Sequence, residues 1–253
     1  MPTQFARLSP SRYLESLDAD ARALRAAAEG GLNPQVPGCP DWTVADLVAH
    51  VSGVYQHKAA AMRSGSEPAE GSWPEDAPDG RDALAWFDES YAALVDELRS
   101  RDPSESTWTW WPPEQDVAFW YRRMAQETAV HRWDAQSAYG TAAPIATDVA
   151  VDGVDELLGW LEWPWDEHLQ EDADGQVVRV TTDDSRWCIS LQRTRVLVSA
   201  DSGPDSDVSA TITAEPSTLL LYLWGRIGVD SVGVSGDPTA LRLLGERLTM
   251  LGG

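Results

Sequence analysis

The period at which apolar residues recur changes along the chain, and this change restricts the possible folds more than any other feature. Between residues 9 and 140, apolar side chains return every three or four positions, which is the period of an amphipathic helix. From residue 177 onward, short β-branched runs are separated by Asp, Ser, Gly and Pro, a pattern typical of strands and turns. The sequence therefore predicts a helical first half and a second half that mixes helices with strands.

Four helices are predicted in the first half. Thr43, with Asp46 three residues later, is an N-cap signal for the second helix, and Gly65 is a stop signal. Pro, Gly, Ser and acidic residues between positions 64 and 80 predict a long exposed loop. Four helices with two longer connections predict a four-helix bundle. The predicted helices are residues 9–30, 41–65, 81–100 and 116–140.

The second half is predicted to be a smaller α+β domain. Its strand-like runs suggest an antiparallel sheet, and Pro- and Asp-containing starts mark two helices near the C-terminus. We place the boundary near residues 140–148, which gives domains 1–142 and 143–253. The predicted strands are 177–184, 186–192, 194–200, 207–214 and an edge strand at 231–236, and the predicted helices are 147–162, 215–228 and 237–251.

Composition excludes several classes of partner. The chain has 19 basic and 41 acidic residues, and a net charge of −22 repels phosphate backbones and anionic lipid headgroups. No stretch approaches the ~20 apolar residues of a membrane span, and the N-terminus lacks a signal-peptide pattern. We therefore expect a cytoplasmic protein with no nucleic-acid or membrane partner. Cys39 and Cys188, far apart in the sequence, favour incidental thiols over a disulfide or a cysteine metal site.

Polar residues interrupt the apolar face of the fourth predicted helix. Glu127, His131 and Asp134 are spaced by three or four residues and share the face that should meet the bundle. His50 lies at the flank of the apolar stripe of the second helix. Because buried carboxylates and imidazoles require partners, these side chains should satisfy one another or a ligand. Two imidazoles and one carboxylate are the ligand set of hydrolytic zinc sites, although a Glu–His hydrogen bond without metal is the simpler alternative.

Two of these stretches resemble a known family. The segments "CPDWTVADLVAHVSG" and "ETAVHRWDA" are similar to the DinB/YfiT-like metal-binding bundles, and within them to the mycothiol-dependent maleylpyruvate isomerase family. The segment "LLLYLWGRIGVDSVGVSGD" resembles the signature of that family's C-terminal α+β domain, so the likeness covers nearly the whole chain. The resemblance implies a DinB-like four-helix bundle whose residues His50, Glu127 and His131 bind a divalent metal, usually zinc.

The resemblance also implies a chemistry. In that family a thiol cosubstrate, mycothiol, is activated at the metal for cis–trans isomerisation or S-transfer on a small organic substrate. Arg226 matches an arginine that serves catalysis, although a residue that compensates a helix dipole is the alternative. Asp134 is the candidate to hold a ligand imidazole in one tautomer, with an ion pair to Arg132 as the alternative. Mycothiol belongs to high-GC actinobacteria, which agrees with a chain whose only lysine is Lys58.

Two other functions stay open. The protein could be a DinB-like metalloenzyme that uses no thiol cofactor, or a non-catalytic metal- and ligand-binding protein in which a fourth ligand, for instance His57, closes the metal site. His168 is expected at the surface. The Trp-rich segments around residues 108–111 and 163–165 are read either as packing residues or as walls of a substrate pocket. The expected partners are a small-molecule substrate and a low-molecular-weight thiol, and the chain is expected to be a monomer or homodimer.

Overall fold

The computed structural model describes residues 7–69, 72, 82–163, 169–200 and 207–251. These residues form two compact units, of which one is Leu8–Ala143 and the other consists of Arg7 and the described residues from Pro144 onward. Most of the predicted loop at 64–80, together with His168 and Trp165, lies outside the described residues.

Four long helices make up most of the first unit. Helix α1 packs mainly against α4, and α2 packs mainly against α3. Apolar side chains from all four helices form one core, in which Leu24, Val51, Leu94 and Trp120 have no exposed surface. All four predicted helices are therefore present. Their bounds are α1 Pro10–Ala28, α2 Val44–Ser64, α3 Ala83–Arg99 and α4 Val117–Ser137.

The start and end of α2 follow from its terminal residues. Thr43 Oγ1 accepts a hydrogen bond from the Asp46 amide at 3.3 Å, and the Asp46 carboxylate accepts one from the Thr43 amide at 2.8 Å. This capping box provides acceptors for the Thr43 amide, which precedes the helix, and for the Asp46 amide in its first turn, neither of which has an intrahelical acceptor. Gly65 ends the helix with a φ of 64°, a conformation that glycine adopts without steric cost. The predicted cap and stop signals of this helix are confirmed.

A short hairpin, which the sequence analysis did not predict, precedes α2. It consists of β1, Gln35–Val36, and β2, Cys39–Thr43, which pair antiparallel. A two-residue strand has no visible alternation, and Pro40 within the second strand argues against a strand in sequence-based prediction. The hairpin matters because it brings Cys39 and Trp42 to the candidate site described below.

The second unit contains a five-stranded sheet and three helices. The bounds are α5 Thr147–Trp160, β3 Asp174–Thr181, β4 Arg186–Gln192, β5 Val196–Ala200, β6 Ala210–Thr213, α6 Pro216–Leu223, β7 Gly233–Gly236 and α7 Pro238–Thr249. The strand order is β5-β4-β3-β6-β7, and a short 3₁₀ helix lies at Val229–Ser231 before the edge strand β7. Within the described ranges, no helix is both long and apolar enough to cross a lipid bilayer.

The prediction of an antiparallel sheet is wrong at one position. Strands β3 and β6 pair in parallel, whereas the other three neighbouring pairs are antiparallel, so the sheet is mixed. The chain runs from the edge strand β5 to β6 on the far side of β3 and does not form a hairpin there. Strand direction depends on this connection, and alternation of apolar and polar residues carries no information about it.

Helix α6 is shorter than predicted, because it ends at Leu223 and not near residue 228. Gly225 has a φ of 69°, so the chain enters the left-handed conformation that commonly ends helices. The predicted catalytic residue Arg226 therefore follows the helix, and its Nη1 donates a hydrogen bond to the Trp224 carbonyl at 3.0 Å.

Candidate metal centre

Three side chains that can bind a metal lie together in the first unit. The potential ligand atoms of His50, Glu127 and His131 all lie within 4.8 Å of one another. Oε1 of Glu127 is 3.2 Å from Nε2 of His50 and 3.2 Å from Nε2 of His131. Glu127 and His131 are one turn apart on α4, and His50 reaches the same point from α2, which packs on α4. One carboxylate oxygen therefore faces two imidazole nitrogens.

Arg123 determines which oxygen of Glu127 faces the histidines. Its Nη2 donates to Oε2 of Glu127 at 2.6 Å, and the arginine is almost completely buried. Burial raises the pKa of Glu127, but the charges and hydrogen bonds of His131, His50 and Arg123 hold this pKa well below its ordinary value. Glu127 is therefore an anionic ligand with one oxygen already occupied. The sequence reasoning missed Arg123, although its position four residues before Glu127 was a usable signal.

Asp134 fixes the orientation of His131. Its Oδ2 lies 3.0 Å from Nδ1 of His131, and the carboxylate has no exposed surface. A carboxylate there keeps the proton on Nδ1 and directs Nε2 towards Glu127 and His50. The predicted alternative partner of Asp134, Arg132, donates to Asp20 at 3.0 Å.

Without a bound metal, its carboxylate neighbours raise the pKa of His131. Burial lowers the pKa of His131, but the Glu127 charge and the hydrogen bonds of Asp134 and Glu127 outweigh it and raise this pKa to about 9. Without metal, the ring is therefore protonated at neutral pH and stabilises the Glu127 carboxylate. A metal has to displace the Nε2 proton, so metal binding releases a proton.

The hairpin before α2 packs against these rings. Trp42 lies 4.8 Å from His50 and 6.1 Å from His131 between ring centroids, and the two imidazoles are 5.1 Å apart. Sγ of Cys39 is 4.0 Å from the Asp134 carboxylate. No sequence pattern linked Trp42 or Cys39 to α4, because the contact depends on a hairpin that was not predicted.

The cluster is more open on one side than on the other. The side chain of His50 is 29% exposed, whereas that of His131 is 7% exposed. An exogenous ligand therefore has access from the α2 side.

The donor set fits a divalent transition metal. Two imidazole nitrogens and one carboxylate oxygen suit zinc and related ions, and three protein ligands leave a coordination position for an exogenous group. Among the described residues, the group of possible ligands consists of these three, and His57 is not part of it. Nδ1 of His57 lies 3.1 Å from the Lys58 amine. Arg226 belongs to the second unit, so its role at this centre stays a prediction.

The fold and this cluster together define a class of protein. Its helical unit carries a cluster of two histidines and one carboxylate, and its second unit mixes helices with a sheet. Residues 13–136 match the family model described as the mycothiol maleylpyruvate isomerase N-terminal domain. The helical unit therefore belongs to this family.

Solved structures show the same fold. The crystal structure of the mycothiol-dependent maleylpyruvate isomerase is 16% identical to the chain, with a TM-score of 0.64, and the match covers 91% of this chain and 95% of that chain. A mutant of that isomerase matches with 14% identity, the same TM-score of 0.64 and the same coverage of 91% and 95%. At such identities the likeness concerns the fold and not the activity. No curated protein sequence matches the chain.

Proposed function

We propose that the protein is a metal-dependent enzyme that activates a thiol for cis–trans isomerisation or S-transfer on a small organic substrate. The observation that carries this proposal is the convergence of the His50, Glu127 and His131 ligand atoms within 4.8 Å. The expected metal is zinc, and the match of residues 13–136 to the mycothiol maleylpyruvate isomerase N-terminal domain favours mycothiol as the thiol cosubstrate. The first unit is then a DinB-like metal-binding four-helix bundle, residues 1–142, and the second is the family's C-terminal α+β domain, residues 143–253.

The residues of the cluster have distinct roles in this proposal. His50, Glu127 and His131 hold the metal, Asp134 keeps the His131 ring in one tautomer, and Arg123 orients Glu127. A divalent metal at this position supplies the positive charge that favours the thiolate form of a thiol placed beside it. The exposed side of His50 gives the thiol a route to the centre.

The isomerase reaction requires no oxidant or reductant. The thiolate sulfur adds to an activated cis double bond of the substrate, and the electron pair of that bond moves onto the conjugated carbonyl as an enolate. Rotation about the resulting single bond follows, and expulsion of the thiolate restores the double bond in the trans form. In the transferase reaction the sulfur stays on the substrate, either because the enolate takes up a proton from water or because the thiolate displaces a leaving group, which departs with its bonding electron pair. We assign Arg226 the role of binding a substrate carboxylate or the developing enolate through its planar guanidinium group.

Metal analysis of purified variants tests the metal centre. The wild-type protein is expected to contain about one zinc or similar ion per chain, and His50→Ala and Glu127→Gln are expected to lose it, because two donors do not hold zinc tightly. His57→Ala is the matched control, since it removes a histidine from the same helix but outside the cluster, and it should keep the metal. A wild-type protein without metal after reconstitution with zinc would contradict the proposal.

Calorimetric titration with mycothiol tests thiol use. The zinc-loaded protein is expected to release or absorb heat on binding, and a chelator should abolish this signal. No heat from zinc-loaded protein would favour the second candidate, a DinB-like metalloenzyme without a thiol cofactor. Retention of metal without turnover of any thiol or substrate tested would favour the third candidate, a non-catalytic metal- and ligand-binding protein.

A further inference from the structure

The only lysine of the chain, Lys58, lies on the same helix as His50, about two turns further along. Lys58 is on α2 and is only partly exposed. Its Nζ is 3.1 Å from Nδ1 of His57 and 5.5 Å from the centre of the Trp120 ring on α4. Lysine amines usually reach bulk water, because burial of an ammonium group is costly. A lysine retained between two helices of the helical unit therefore suggests a specific use.

The pKa of Lys58 is lowered but stays above neutral pH, so its amine is mainly protonated. Burial lowers the pKa of Lys58 to about 8, with Glu127 raising and Arg123 lowering this pKa. Burial and the Lys58 charge lower the pKa of His57 to about 4, so the His57 ring is neutral. Nδ1 of His57 therefore accepts the hydrogen bond from the ammonium group.

The position of Lys58 along α2 sets its distance from the cluster. Lys58 follows His50 by about two helical turns, or roughly 12 Å along the axis. Long side chains in helices lean back towards the helix N-terminus, which here means towards His50. On α4, Trp120 likewise precedes Glu127 by about two turns. Because the Lys58 amine lies over the Trp120 ring, the amine and the ligand cluster are about two helical turns apart along both α2 and α4.

We propose that Lys58 binds a carboxylate of the substrate, so that a short dicarboxylate or oxo acid lies between the ligand cluster and the Lys58 amine. This inference rests on the proposed function, because it places the reacting end of the substrate at the metal centre. A protein with a net charge of −22 needs a local positive group to receive an anion, and Lys58 supplies one near Glu127. A carboxylate forms a stronger hydrogen bond with an ammonium group than the neutral His57 ring does.

Protection from chemical labelling tests the contact directly. Zinc content is measured first, and the protein is then acetylated with a limiting amount of an amine-reactive ester in the presence of succinate or of the neutral analogue succinamide. Because Lys58 is the only lysine, peptide mass spectrometry compares it with the α-amino group of the same chain. Succinate is expected to slow acetylation of Lys58 and not of the α-amino group, and succinamide should protect neither.

Binding to variants provides the second measurement. In zinc-loaded protein, Lys58→Met is expected to weaken succinate binding about tenfold to a hundredfold, and Lys58→Arg should retain most of the affinity. Arg63→Met is the matched control, because Arg63 lies on the same helix, carries the same charge and has a side chain that is 63% exposed. All variants should keep their zinc.

The results separate this inference from the proposed function. Equal succinate affinity in wild type and Lys58→Met, or no binding or protection by succinate in zinc-containing wild type, overturns the role of Lys58 and leaves the metal centre intact. Loss of zinc from wild-type protein contradicts the proposed function. The protection experiment needs no variant, so it decides the question even if Lys58→Met fails to fold.

Discussion

The buried carboxylate of Asp134 lies 3.0 Å from Nδ1 of His131, while Nε2 of the same ring lies 3.2 Å from Glu127. The imidazole is thus held from both sides, and its orientation depends on a residue that does not itself face the cluster. A histidine fixed in this way presents a single nitrogen to a metal, which reduces the entropy lost on binding.

Removal of the Asp134 carboxylate should therefore weaken metal binding. Asp134→Ala is expected to lower the zinc affinity about tenfold to a hundredfold, and Asp134→Asn should have a smaller effect because the amide oxygen still accepts a hydrogen bond. Competition with a chromophoric chelator measures this affinity. Asp41→Ala, which removes an exposed carboxylate from the neighbouring hairpin, serves as the control. Unchanged affinity in folded Asp134→Ala would show that Asp134 does not position the ligand.

The capping box of α2 predicts a pH-dependent loss of stability. Thr43→Ala should lower the free energy of unfolding by about 1 kcal/mol at neutral pH. Hydrogen bonds from the Thr43 side chain and amide lower the pKa of Asp46, so this carboxylate stabilises the fold above about pH 4, and its contribution is lost as the pH falls through the lower folded-state pKa.

Urea unfolding of wild type and Thr43→Ala at several pH values measures this effect. The stability difference between the two proteins should be largest near neutral pH and should shrink in the acid range. A difference that grows as the pH falls would contradict the assigned hydrogen bonds.

The hydroxyl pair Tyr55 and Thr128 predicts an asymmetry between two substitutions. Thr128 Oγ1 donates to the Met124 carbonyl at 2.7 Å, so the Tyr55 hydroxyl, 2.6 Å away, is the donor to Thr128. Tyr55→Phe should cost about 1 kcal/mol, because Thr128 keeps its other partner. Thr128→Val leaves the buried Tyr55 hydroxyl without an acceptor and should cost about 2 kcal/mol.

Thermal or urea unfolding of both single variants and of the double variant tests this asymmetry. The double variant should be less destabilised than the sum of the two single variants, because the unsatisfied hydroxyl is then absent. Equal costs and strict additivity would mean that the two hydroxyl groups do not interact.

Arg226 is predicted to act on the substrate and not on the metal. Arg226→Ala should keep its zinc and lose activity about a hundredfold, since a fixed guanidinium that stabilises developing negative charge contributes mainly to the chemical step. The assay follows maleylpyruvate in the presence of mycothiol, with thiol transfer as the second readout. Arg242→Ala removes a surface arginine of the same unit and is the control. Full activity of Arg226→Ala would remove this residue from the mechanism.

Local signals in the sequence were sufficient for the four helices of the first unit, although not for its hairpin. Helix α2 starts after Thr43 and ends before Gly65, and α4 starts after Asp116. These ends could be predicted because caps and stop residues act within a few positions of the chain. The i, i+4 spacing of Glu127 and His131 likewise follows from helix geometry alone. The placement of His50 beside them required the resemblance to a known family, since spacing on one helix does not say which helix packs against it.

Features that depend on distant parts of the chain were not predicted. The parallel pairing of β3 with β6 follows from a connection between non-neighbouring strands, and alternation of side chains does not reveal it. The stack of Trp42 on His50 depends on a hairpin with a two-residue strand, too short to show a period. The contact of Lys58 with Trp120 joins two helices, so the sequence did not predict it. Composition showed only that Lys58 is the single lysine of the chain.

The most direct test of the account is a crystal structure of the zinc-reconstituted protein, with anomalous diffraction data collected on both sides of the zinc edge. A zinc ion held by the cluster should give a single strong anomalous peak about 2.0–2.2 Å from Nε2 of His50, Nε2 of His131 and Oε1 of Glu127. Data that show no peak among these three side chains, or a zinc ion bound elsewhere while Glu127 and the histidines keep their hydrogen bonds, would contradict it.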